Sequence, residues 1–304
     1  MTGLFTVQLQ NKIVEPDSVK DPSLQIKSAK AGELPGKRGR LHPVLGGCLI
    51  INADDWGRDP RTTDRTFECF QHGALSSASG MVFMQDSERA AAIAIEHGFD
   101  VGLHLNLSAP FSAPGTPTRL ATDHQKVREY LCARRSARLL YHPGLANSFE
   151  YAVASQLEEF TRLYGRTPDR IDGHHHMHLS ANVLLQGLLP SGTIVRRHFS
   201  YDPGEKMLRN SVFRLYSRAL LAGRYRVTDF FFSLPPLAPE VRLRRIFSLT
   251  QRSVVELETH PVNPEEYRFL TGGDLLRWTT LCPPAATFGK PAVLQSAQDR
   301  LRTQ

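Results

Sequence analysis

The chain lacks any run of about 18 consecutive apolar residues, so no membrane-spanning helix is expected. Its N-terminus also lacks the basic-then-apolar order of a secretory leader, which makes a cytoplasmic protein the expectation. Cysteine is scarce: Cys48, Cys69, Cys132 and Cys282 are the four in 304 residues, with no CxxC pair among them. That scarcity argues against a zinc ribbon or a disulfide framework and fits a reducing compartment. Cys48 and Cys69 sit in apolar contexts and read as buried structural thiols. Acidic residues are outnumbered 30 to 37, for a formal net charge of +7. The excess is local, because Lys206, Arg209, Arg214, Arg218, Arg224 and Arg226 face a single Glu205 between 205 and 226. Leu208, Val212, Leu215, Tyr216, Ala219 and Leu220 recur there at helical spacing. The arginines therefore read as the wet face of an amphipathic helix, and nucleic acid is disfavoured as a partner. At most a weak preference for anionic partners remains.

What is present is an ordinary globular composition, 41% hydrophobic and 22% charged, long enough for one large or two medium domains. Residues 1–45 are rich in Lys, Pro, Gly, Ser and Gln and lose all periodicity after "LFTVQLQ"; a disordered extension is expected there. Residues 284–304 read as a C-terminal tail. Between 46 and 283, short apolar runs alternate with helical patterns. Strands are expected at 48–54, 78–83, 100–107, 170–176, 193–198, 228–233 and 254–260, and helices at 61–72, 86–97, 149–164, 208–222 and 237–249. The alternation predicts parallel pairing through crossover helices. About seven such units indicate a closed or nearly closed β/α barrel more than an open sheet, with its working site at the C-terminal strand ends.

Four of those strand ends carry ionisable residues. "INADDWG" (51–57) puts Asp54 and Asp55 side by side, an arrangement that is costly unless a cation or a proton intervenes. Alone, either could be a helix cap before "RDPRTTDRTFECF". "DVGLHLNL" (100–107) alternates, with Val101, Leu103, Leu105 and Leu107 on one face and Gly102, His104 and Asn106 on the other, so His104 is a polar intrusion that needs a partner. "DGHHHMH" (172–178) packs four of the twelve histidines into five positions. If it stays extended, Asp172, His174, His176 and His178 share a face and His175 points away. Three protein ligands and an open position are what a hydrolytic metal site requires, so four histidines do not all bind one ion. "VVELETHP" (254–261) places Glu256, Glu258 and His260 on one face, with Pro261 holding His260 out of helical geometry.

Taken together, "NADDWG", "GLHLNL", "DGHHHMH" and "ETHP", in this order over about 48–262, resemble the YdjC-like family of carbohydrate deacetylases, the type that includes chitooligosaccharide deacetylase. The resemblance implies a distorted β/α barrel related to the polysaccharide deacetylases, with one divalent metal held by one Asp and two His. By motif position, Asp55, His104 and His174 are the implied ligands, Asp54 the general base and His260 the general acid. His176, His178, Asp172, Glu256 and Glu258 are left as supporting or substrate contacts. Trp56 stands where the family usually has Phe, which is expected to reshape a pocket wall, and Val262 stands where Gly is common. The segment 108–148 offers no recognisable sugar-binding pattern.

The implied function is hydrolysis of an acetyl group from an N-acetylated sugar or oligosaccharide, with the metal lowering the pKa of its water and polarising the carbonyl. Asp54 would take a proton and His260 return one to the amine, oriented by Glu256 or Glu258. Magnesium is suggested by the resemblance, and Zn, Mn, Co or Ni suit the same donors. The same ligands would also serve a phosphodiesterase or a non-haem iron oxygenase, and the fold with a degenerate site would serve a non-catalytic binder of sugar or nucleic acid. A homodimer is left open.

Overall fold

The structure, a computed structural model, describes residues 47–134, 136–200 and 208–283, without the side chains of 208–213. The expected extension (1–45) and tail (284–304) lie outside the described residues, as do Glu205 and Lys206. Seven parallel strands are present: β1 (Cys48–Trp56), β2 (Ser77–Gly80), β3 (Val101–Leu105), β4 (Arg170–Gly173), β5 (Ile194–Val195), β6 (Phe230–Ser233) and β7 (Val254–Thr259). They lie in the order β5-β4-β3-β2-β1-β7-β6, which is the sequence order wrapped into a ring and opened at one point. The open seam falls between β5 and β6. Among the described residues, one parallel bridge joins Ile194 to Arg226 ahead of β6, and the Ser200 backbone N–H donates to the Phe231 carbonyl at 2.7 Å. The result is a nearly closed β/α barrel of seven strands.

Among the described residues nine α-helices accompany the strands: α1 (Pro60–Gln71), α2 (Ser87–His97), α3 (Thr118–Ala133), α4 (Ala146–Tyr164), α5 (Ala181–Gln186), α6 (Leu208–Leu221), α7 (Glu240–Leu249), α8 (Pro264–Thr271) and α9 (Asp274–Leu281). Helix α1 starts where Asp59 accepts from the Thr62 backbone N–H at 2.9 Å and Pro60 takes the first helical position. Asp59 does the capping, so neither Asp54 nor Asp55 is needed for it. Helix α3 was not expected. Its buried stripe is Leu120, His124, Val127 and Leu131, and the polar His124 in that stripe hides the apolar period. The basic helix α6 forms, but Leu215 (70% exposed) and Ala219 face solvent, while Ser217 and Leu221 are the buried pair.

Alternation along each strand separates two environments. Leu49, Ile51 and Ala53 of β1, Val101, Leu103 and Leu105 of β3, Ile171, Val195, Phe232, Val255 and Leu257 all join the main core under the helices. Each large side chain of this kind contributes roughly 1.5–3 kcal/mol on burial. The opposite parity lines the bore. Cys48, Ile50 and Val254 form a small apolar floor, and above them the bore turns polar with Asn52, Asp54, Ser77, Ser79, His104, Asp172, Arg196, Glu256 and Glu258, all buried.

The strands expected at 78–83, 100–107, 170–176 and 193–198 end early, at Gly80, Leu105, Gly173 and Val195. The fourth strand stops at Gly173, and His174–Leu179 forms a 3-10 turn in which His175 (φ 53) and His176 (φ 57) are left-handed. The expectation that Asp172, His174, His176 and His178 share one strand face is therefore wrong. A β-carbon on Gly173 would lie 2.9 Å from the Leu105 carbonyl and 3.0 Å from His178, so a glycine is required where the turn folds back. Trp56, expected at a pocket wall, is fully buried in the core, edge-on to Phe70 (6.2 Å) and Phe99 (6.4 Å). Replacing Trp56 by Ala should therefore lower unfolding free energy by about 3–5 kcal/mol in urea titration. A loss below about 1 kcal/mol would show that the ring is not part of the core.

Candidate active site

The polar end of the bore is organised by one irregularity in β1. Between Ala53 and Trp56 the pairing with β2 gains one residue, and Asp55 adopts φ 66. Regular alternation would send Asp54 into the bore and Asp55 out toward the helices. The bulge turns Asp55 back over the strand end, so both carboxylates serve the same space. Aspartate tolerates left-handed backbone better than most residues, which limits the cost.

Asp55 Oδ1 lies 2.9 Å from His174 Nδ1 and 3.3 Å from His104 Nε2, and the three ligand atoms fall within 4.8 Å of one another. Despite those distances, Asp55 Oδ1 is buried and makes no hydrogen bond. The three atoms are close enough together to share one cation. His104 is fixed from its other side, where Nδ1 donates to Asp172 Oδ1 at 2.7 Å and leaves Nε2 for the shared space. Asp55 Oδ2 is taken by Arg58 Nη1 at 2.9 Å, so one oxygen of Asp55 faces the histidines. Burial opposes charge on both Asp55 and His104. The two histidines nevertheless hold the Asp55 carboxyl well below the usual carboxylate range, and Asp54 and Asp172 hold a proton on His104 well above the usual imidazole range. A divalent cation at this point would replace that proton, and two imidazoles with one carboxylate are a donor set suited to such an ion.

Around this set lies a buried guanidinium that the sequence reading did not single out. Arg196 grips Asp54 through Nη1–Oδ2 (2.6 Å) and Nη2–Oδ1 (2.8 Å), reaches Asp172 Oδ2 at 2.8 Å through Nη2 and gives Nε to Glu256 Oε1 at 2.7 Å. Its face covers the Phe231 ring at 4.9 Å. Arg197, the next residue, points to the opposite side and donates to the Thr228 and Asp229 carbonyls. The only signal in the sequence was the parity of "TIVRRH", where Arg196 shares a face with Ile194. Asn52 adds a 2.8 Å bond to Asp54 Oδ1, and Ser79 one of 2.5 Å to Asp172 Oδ2.

The remaining histidines separate. His260, one-third exposed, puts Nε2 3.6 Å from Glu258 Oε1, and its backbone N–H is anchored by Glu266 at 2.8 Å, another residue the sequence reading missed. Glu256 is committed to Arg196, so of the two glutamates Glu258 is the one beside His260. Burial, with Asp54 adding to it, pushes the Glu258 carboxyl well above its ordinary range. His176 stands 3.8 Å from Glu258 Oε2 and edge-on to Phe199 (4.6 Å) and Phe231 (5.7 Å). His175 is exposed, its ring 4.0 Å from that of His174, and it bonds Ser108 Oγ at 3.1 Å. His178 does not reach the cluster. It is fully buried, bonds the Arg196 carbonyl at 2.9 Å, and is pulled down to about 4 chiefly by burial.

The model of the YdjC-like protein family matches residues 48–278, more than half of the chain. The chain belongs to this family. Among curated relatives, the YdjC-like chain is 31% identical over 136 residues to a chitooligosaccharide deacetylase of Serratia marcescens and 32% over 137 residues to one of Yersinia pestis (strain Pestoides F). Each match covers 44% of this chain and 52% of the relative, so the chain spans about half the length of the curated relatives it matches. Among solved structures, a protein described as a cellobiose-phosphate cleavage protein from Enterococcus faecalis V583 superposes with a TM-score of 0.55 at 17% identity. That match covers 77% of this chain and 94% of the other, a likeness of fold. No helix among the described residues is long and apolar enough to cross a membrane.

Removing Arg196 leaves Asp54, Asp172 and Glu256 uncompensated in a dry interior. Arg196→Met should cost about 3–5 kcal/mol at pH 7.5 in chelator-treated protein. Without the guanidinium, burial raises the Asp172 and Glu256 carboxyls above their unfolded range, so the folded state binds more protons. The deficit should then shrink as pH falls toward the ordinary carboxylate range. Denaturation curves between pH 5 and 8 check this, and a pH-independent deficit would contradict it.

Proposed function

We propose that this protein hydrolyses the N-acetyl group of an acetylated sugar or oligosaccharide, with one divalent cation held by Asp55, His104 and His174. The observation that carries the reading is the buried, unbonded Asp55 Oδ1 facing two imidazoles, with Asp54 gripped beside it. The cation's contribution, when bound, is Lewis acidity toward a carbonyl and toward water.

The chain's own groups supply the rest. Arg196 and Asn52 share Asp54 Oδ1, while Oδ2 holds a single hydrogen bond, so Oδ2 is the oxygen left to accept a proton from the attacking water. A positioned base of this kind is worth roughly 10²–10⁴-fold. An amide expels a poor leaving group, and His260 at the rim delivers the proton to the departing nitrogen. Glu258, 3.6 Å from its Nε2, orients the ring, and Glu266 fixes its backbone. Asp172 holds His104 by Nδ1 and so aims Nε2. His176 and Phe199, packed edge to face and both partly exposed, suit the apolar face of a sugar ring. The names of the curated relatives favour a chitooligosaccharide as the first substrate to try.

Two measurements test the reading. Released acetate should appear on incubation with N-acetylglucosamine oligomers in the presence of Mg²⁺, Mn²⁺, Co²⁺ or Zn²⁺, and release from none of them would move weight to a phosphodiesterase or a binder. Asp54→Asn should lower turnover by roughly 10²–10⁴-fold while metal content stays at one equivalent, whereas His174→Ala should lose metal and turnover together. Full metal retention in His174→Ala would remove that residue from the ligand set.

A further inference from the structure

A second group of donors sits on the other side of Asp54. Ligand atoms of Asp54, Glu258 and His260 also fall within 4.8 Å of one another. Glu258 is 5% exposed, yet its Oε2 makes no hydrogen bond; His176 Nε2 lies 3.8 Å away and the Arg196 guanidinium 4.0 Å away.

We propose that Asp54, Glu258 and His260 form a second divalent-cation site, weaker than the first, whose filling inhibits the enzyme. The inference rests on the hydrolase reading, because the atoms that would bind this ion are the ones assigned there to move protons. A cation on Asp54 Oδ2 occupies the lone pair that accepts the water's proton, and coordination of His260 displaces the proton destined for the amine into solvent. Two oxygens and one imidazole suit Mn²⁺ or Zn²⁺. The site is weaker because Arg196 already grips Asp54 and repels a second cation, and because His260 must give up a partly exposed position.

The test uses the full chain, stripped with chelator and titrated with Mn²⁺ while bound metal, electron paramagnetic resonance and acetate release are followed. Two equivalents should bind per chain. The first should raise activity, and the second should lower it at least tenfold and convert isolated Mn²⁺ signals into those of a coupled pair, since Asp54 and Asp55 are adjacent. Glu258→Gln and the partly exposed His260→Gln should each keep the first equivalent and lose the second together with the coupled signal. A single equivalent at saturation, a second one without coupling, or a second one retained in both variants overturns the site. So does loss of both equivalents from folded variants. Activity that only rises with metal leaves the hydrolase reading standing and removes the inhibition, while two coupled equivalents without acetate release keep the site and remove the hydrolase reading.

Discussion

Everything at the working end of this barrel depends on a guanidinium placed where water cannot reach it. Arg196 is 2% exposed and contacts Asp54, Asp172 and Glu256 directly. Burying a cation and several anions is expensive for each alone and tolerable only when all are present with their hydrogen bonds made. The cluster is therefore cooperative. Asp172 is held well below the usual carboxylate range, where burial alone would raise it, chiefly because Arg196 and His104 lie against it. In that state it accepts the hydrogen bond of His104 Nδ1 and aims the ring. The same guanidinium fixes the rotamer of Asp54. Orientation of the ligand histidine and of the adjacent carboxylate thus has a common origin, and His178 extends it by fixing the Arg196 carbonyl.

The open seam of the barrel is what makes this arrangement accessible. A fully closed barrel bore is a packed apolar column. Here β5 is only two residues long, Ile194–Val195, and is bridged to Arg226 ahead of β6, so the chain after Val195 directs Arg196 inward and Arg197 outward. Large side chains that would fill a closed bore are replaced by Phe231 lying under the guanidinium. Selection of polar residues in the bore and loss of strand pairing at one seam are thus parts of one solution.

Much of this was legible in the sequence, for definable reasons. Period-two alternation placed His104 on the bore side of β3, and the order of strands and helices gave the barrel. The doublet Asp54–Asp55 could be suspected from its cost, but the device that makes both residues useful, an extra residue with left-handed backbone at Asp55, leaves no mark in residue types. "DGHHHMH" read as a strand because nothing in it breaks one except Gly173, and that glycine is there for close approach to Leu105 and His178. Arg196 was missed because a strand of two residues gives alternation almost nothing to act on. Glu266 was missed because its role is to accept from a backbone N–H six residues away in sequence.

Position relative to the rigid β1 bulge separates the two donor groups. Asp55, His104 and His174 come from β1, β3 and the turn after β4, all buried, and Asp172 on β4 fixes the middle member. Asp54, Glu258 and His260 span β1 and the end of β7, where His260 is one-third exposed and held through its backbone by Glu266. A preorganised set leaves little to order when a ligand binds. The second group differs in having one member at the rim, where solvent reaches it. Arg196 touches Asp54 of the second group and Asp172, which fixes His104 of the first, so a single guanidinium ties the two groups together.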